Sequence, residues 1–111
     1  MLLFGCSEPA LGEDSRADFE PTESFTNRDL LQRSDQEKRI WLSGAAAGLA
    51  NGVGLTDSAA GRCIARWYFD GTDQAYSETL ANMEEFPDFT PAVIMIALAR
   101  RACPEAEVLR R

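Results

Sequence analysis

The sequence predicts a small all-α domain, a bundle of four to five helices clamped by one disulfide. Three features point to it. Apolar residues recur at i, i+3 and i+4 through successive segments, and no alternating strand pattern competes. Most segments open on a side chain able to cap a helix and close on glycine or proline. Cys63 and Cys103 lie far apart, each in a segment of helical spacing, so a bond between them would clamp the unit they enclose.

The helices follow in order. Thr26 caps a short helix through Asn27 to Gln32, with Asp29 three residues on in a capping-box pattern. Ser34 or Asp35 opens a longer helix, with Asp35 and Glu37 at the positive end of its dipole. Its apolar stripe reads Ile40, Trp41, Gly44, Ala45, Gly48, Leu49 and Gly52. Three glycines on one face each cost helix stability, up to about 1 kcal/mol relative to Ala, so the spacing predicts close approach of another helix there. A nucleotide-binding reading of the glycines fails, because no strand precedes them and no Gly-Lys-Ser/Thr follows.

Thr56 or Asp57 caps the next helix, whose inner face reads Ala60, Cys63, Ile64, Trp67 and Tyr68, and Gly71 stops it. Thr72 caps a helix with Tyr76, Leu80 and Met83 inward and Glu78, Asn82 and Glu85 outward, ended by Pro87. Thr90-Pro91 starts the last helix, with Phe89 placed to staple onto Ile94. Residues 92–99 are apolar nearly all round, which predicts a central, buried helix. Residues 105–111 read as a frayed tail, so the helical domain spans 26–104.

Composition excludes several functions. The chain of 111 residues allows one domain at most. It carries 18 acidic and 11 basic residues, a formal charge of −7, which disfavours nucleic acid and anionic membranes and suits a basic partner. It has no histidine, so a nucleophilic triad lacks its base. The cysteines have no near neighbours for a zinc site. The reading is a protein that is not an enzyme and holds no cofactor or metal. Trp41, Trp67, Tyr68 and Tyr76 fall on apolar stripes and read as core. The turn Glu84, Glu85, Phe86, Pro87, Asp88, Phe89 places aromatics among acids between two helix ends. Glu84, Glu85, Phe86 and Asp88 are therefore the candidate partner-binding residues.

The third cysteine needs a role of its own. Residues 1–6 end in Leu3-Phe4-Gly5-Cys6, which resembles the end of a bacterial lipoprotein signal, with Cys6 lipidated and Met1 internal to a longer apolar segment. The alternative is a chance apolar start with a free thiol. Residues 7–25 contain six acids, one base and two prolines, a composition that favours a flexible acidic linker. Ser7 after Cys6 favours the outer membrane for such an anchor, and membrane contact is expected only through the lipid. An extracytoplasmic site agrees with an oxidised Cys63–Cys103 pair. The alternative for that pair is two buried reduced thiols in a cytosolic domain.

Trp41, then Gly44 and Gly48 on a helix, then Cys63, then Phe86-Pro87, then Ala102-Cys103-Pro104 resemble the Tai-type immunity proteins of type VI secretion systems, over about residues 37–104. The resemblance implies a small all-helical periplasmic protein that binds and blocks a secreted peptidoglycan amidase effector, often as a homodimer. A more distant resemblance is to HdeA-type acid-stress chaperones, which are also small periplasmic helical proteins with one disulfide. It implies an acid-stress protein that binds clients broadly, and together with the Cys6 reading it gives the alternative of a lipid-anchored envelope or stress protein. Protonating all 18 carboxylates would move the side-chain total from −7 towards +11, enough repulsion to loosen such a fold.

Overall fold

A computed structural model describes residues 25–110. Five α-helices run in order: α1 Asn27–Leu31, α2 Asp35–Gly54, α3 Ser58–Tyr68, α4 Gln74–Glu85 and α5 Pro91–Ala102. A closing 3-10 turn, Glu107–Arg110, follows. The fold is all-α and clamped by the Cys63–Cys103 disulfide, whose Cα atoms stand 6.1 Å apart. Cys6 and residues 7–24 of the expected linker lie outside the described residues.

The starts are set by local chemistry. Thr26 and Ser34 each close a full capping box, with Asp29 and Glu37 reaching back to the cap N–H. The Asp57 carboxylate accepts from the Ala60 N–H, and Thr90 accepts from Val93 ahead of Pro91 at the first helical position. Asp73, not Thr72, holds the cap position of α4, without a side-chain bond. Thr72 sits one residue earlier in a tight turn on the Asp70 carboxylate, and its hydroxyl accepts from the Gln74 N–H at 3.3 Å. Gly71, with φ +95°, makes the left-handed bend between α3 and α4.

Packing falls into two clusters along the 20-residue α2. Leu42 and Ala46 near its start meet Leu30, Tyr68, Tyr76, Met83, Ile94, Met95 and Leu98. Ala50 and Val53 near its end meet Ala60, Ile64, Ala99 and Cys103. Leu49 and Trp67 touch both clusters and join them. The disulfide thus fastens the second cluster, tying α3 to the end of α5.

Several expected faces are corrected. The buried stripe of α2 is Leu42, Ala46, Ala50 and Val53, one position round from the expected one, while Ile40 is 65% exposed. A β-carbon on Gly44, Gly48 or Gly52 would meet nothing within 4 Å, so these glycines do not mark the helix contact. The close approach exists, but it is made by Gly61 of α3 against Ala50 and Gly54 of α2. Ala45, Ala46 and Ala47 make every face of α2 small, so spacing alone does not decide which one packs.

The last helix is not buried all round. Ile94, Met95, Leu98 and Ala99 pack inward, whereas Val93 and Ile96 are 49% and 38% exposed. Residues 105–110 are not a frayed tail: Ala106 and Leu109 bury against Cys103 and complete the second cluster. At the other end Phe25, assigned to the linker, packs tilted against Trp41 at 5.8 Å between ring centroids. Among the described residues no helix is long and apolar enough to cross a membrane.

Candidate functional site

The turn between α4 and α5 is held from beneath by α1. The first N–H groups of a helix have no partner within it and must find acceptors elsewhere. Here the Asn27 N–H donates to the Phe89 carbonyl at 2.8 Å, and the Arg28 N–H to the Pro87 carbonyl at 3.0 Å. The Asn27 side chain is fully buried, and its Nδ2 donates to the Phe86 carbonyl at 2.7 Å. Three carbonyls of one turn are thereby fixed by two adjacent residues of α1.

With its backbone pinned, the turn presents its side chains outward. Phe86 and Phe89 stack with ring centroids 5.4 Å apart and an interplanar angle of 23°. They are nonetheless 41% and 51% exposed, a large apolar surface to leave in water. Phe89 was expected to staple onto Ile94; its stacking partner is Phe86. Val93 and Ile96 are exposed on the helix that the turn leads into.

The acidic candidates divide. Glu84 and Glu85 are exposed at the end of α4. Asp88 accepts from Arg28 Nη1 at 2.8 Å, with both side chains more than half exposed, so the pair adds little stability but occupies that carboxylate. The structure therefore joins Phe86 to Phe89 and Asp88 to Arg28, while Glu84 and Glu85 stand outside any ion pair among the described residues. The sequence reading missed Asn27 and Arg28, because their role depends on contacts across about sixty residues of chain.

A second feature lies at the opposite end of α4. Arg39 donates through Nε to Asp35 at 2.9 Å and through both Nη atoms to Asp73 at 3.3 and 3.1 Å. Its guanidinium carbon sits 4.2 Å from the Tyr76 ring centroid, and the Tyr76 hydroxyl donates to Asp35 at 2.9 Å. The bond from Arg39, then that from Tyr76, lowers the Asp35 pKa. Burial first, then the Asp35 bond, pushes Tyr76 up to about 12. The Asp35–Arg39 spacing of four was the one sequence signal for this network.

Beside this network Arg39, Ser43, Tyr68, Phe69, Thr72, Asp73 and Tyr76 line an open cleft of about 320 Å³. Tyr68 and Tyr76 are buried, as expected for core residues, but both also reach this cleft. Trp41 and Trp67 are only partly covered. The chain matches no protein-family model, no curated protein and no solved structure.

Proposed function

We propose that this is an extracytoplasmic protein-binding module that docks through the Phe86–Phe89 pair, with Val93 and Ile96 extending the contact along α5. The observation that carries the reading is the stacked, half-exposed phenylalanine pair on a turn whose carbonyls are pinned by α1. Aromatic anchors that are already ordered lose little entropy on binding, and such residues dominate interface energies. Glu84 and Glu85 flank the pair and, with the overall charge of −7, favour a partner with a basic surface. The Cys63–Cys103 bond supports an oxidising compartment, the periplasm if the cell is bacterial.

The resemblance to Tai-type immunity proteins supplies the partner class, a secreted peptidoglycan amidase. The test is direct. The purified domain is titrated into a secreted peptidoglycan amidase from the same genome or a competitor's, and cell-wall cleavage is measured. Inhibition at equal concentrations that is lost in a Phe86→Ala, Phe89→Ala variant supports the reading. Full amidase activity in the presence of the wild-type domain removes the immunity function. Inhibition that survives the double substitution moves the interface elsewhere.

A further inference from the structure

The cleft between α2, α3 and the start of α4 carries a feature that fold stability does not explain. Tyr68 is only 7% exposed, and its hydroxyl has no hydrogen-bond partner among the described residues. A buried hydroxyl without a partner has lost its water and gained no bond in return. Tyr68 lines the cleft together with Arg39, Ser43 and Asp73. Ser43 is close enough to favour the ionised phenol slightly, yet forms no bond of acceptable geometry. Burial is the larger effect and keeps the phenol protonated, able both to donate and to accept.

The remaining valences of the cleft define what would fill it. Arg39 uses three N–H bonds on Asp35 and Asp73, which leaves two of its five donors. The Asp73 oxygens keep lone pairs, and the Ser43 and Tyr68 hydroxyls are of mixed character. A cation would meet Arg39 and could only donate. An anion would meet Asp73 and could only accept. A neutral ligand with adjacent hydroxyls matches both kinds of group. Phe69, 49% exposed on the cleft wall, offers an aromatic face for an apolar ring edge. A volume of about 320 Å³ lies at the small end of the usual range for ligand sites.

We propose that this cleft binds a neutral polyol, most simply a single pyranose ring, packed on Phe69 and hydrogen-bonded by Tyr68, Ser43 and the Arg39–Asp73 pair. The Tyr68 oxygen lies below the surface, so a neighbouring side chain shifts to admit a ligand hydroxyl to it. The site is separated from the Phe86–Phe89 pair by the length of α4 and does not depend on the protein-binding reading.

The test is a titration of the folded protein with methyl glucoside and with N-acetylglucosamine, followed by the aromatic NMR signals of Tyr68, Phe69 and Tyr76. Protonated glucosamine and glucuronate serve as charged probes of the same shape. Saturable shifts with a neutral sugar, weaker with both charged probes, are expected. Phe69→Ala should weaken binding about fivefold to tenfold. Tyr68→Phe should weaken it about fivefold while raising the melting temperature, because it removes the unpartnered hydroxyl. Phe86→Ala should leave it unchanged. Absence of saturable shifts with both neutral sugars overturns the proposal, as does binding led by a charged probe.

Discussion

A β-carbon on Gly61 would stand 2.6 Å from the carbonyl oxygen of Ala50 and 2.8 Å from the Cα of Gly54. Both neighbours are backbone, which cannot swing aside as the end of a side chain can. The α2–α3 pair, the most extensive helix contact in the domain, is therefore spaced by this one missing side chain. Gly61→Ala should destabilise the domain by about 1–3 kcal/mol through overpacking. Gly48→Ala meets open space and should stabilise it by up to about 1 kcal/mol through helix propensity. Urea unfolding of the two variants gives opposite signs if the contact is assigned correctly.

The covalent clamp admits a similar comparison. Cys63 and Cys103 are separated by 40 positions, and closing a loop of that size restricts the unfolded chain by about 4 kcal/mol in the chain-entropy account. A double Cys→Ala variant should lose close to that amount, a large share of the stability of a domain this small. Mass spectrometry of non-reduced peptides should recover the two cysteines on one linked pair. Free thiols at both positions in periplasmic material would rule out the bond.

The parts of this fold that were legible in the sequence are the ones fixed locally. Thr26 with Asp29, Ser34 with Glu37, Asp57, Thr90 with Pro91, and Gly71 each act within a few residues, so composition and spacing reveal them. Which face of α2 packs was not legible, because its alanines and glycines make all faces similar in size and apolarity. The partner of α3 is chosen by a contact between Gly61, Ala50 and Gly54, and nothing in their spacing announces it. The same holds for the candidate sites. The aromatics and acids of residues 84–89 stood out, but the Asn27 clamp beneath them is a contact across the fold. Tyr68 and Tyr76 read as core because their rings are largely buried; that the Tyr76 ring also carries the Arg39 guanidinium and its hydroxyl donates to Asp35 is a matter of contacts across the fold.

Stability should fall at both ends of the pH scale for identifiable reasons. Asp35 has its pKa lowered from 3.8 by the bonds from Arg39 and Tyr76. Asp70 is lowered by the Thr72 N–H and hydroxyl. A lowered folded-state pKa gives a contribution that is complete above 3.8 and is lost as the pH falls through the lower folded value. Tyr76 is raised from 10.0 to about 12, so its contribution is complete below 10.0 and is lost as the pH rises towards 12. Thermal melts across the range should show Asp35→Asn with a shallower acid loss and Tyr76→Phe with a shallower alkaline loss. Parallel curves for Tyr76→Phe and the parent above pH 10 would remove Tyr76 as the alkaline group.

The binding turn gives the most informative prediction, because stability and affinity can be separated there. Asp88 is a poor choice for charge reversal: it accepts from Arg28, and a lysine in its place would face that guanidinium. Glu84 and Glu85 are exposed and outside any ion pair among the described residues. Glu84→Lys with Glu85→Lys should therefore leave the melting temperature nearly unchanged, slow association with a basic partner, and flatten its dependence on salt. Phe86→Ala should act on dissociation instead and cost about 2 kcal/mol or more of affinity if this ring is an anchor. Asn27→Ala should do both kinds of damage. It removes the donor to the Phe86 carbonyl, so stability falls by about 1–3 kcal/mol and the turn loses its fixed shape. The combination is diagnostic. If the charge pair changes association, Phe86 changes dissociation and only Asn27 changes the fold, the turn is a preorganised docking element. If the Phe86 and charge variants bind the partner as the parent does, the exposed phenylalanine pair is a packing feature of the α4–α5 connection and the partner contacts another face.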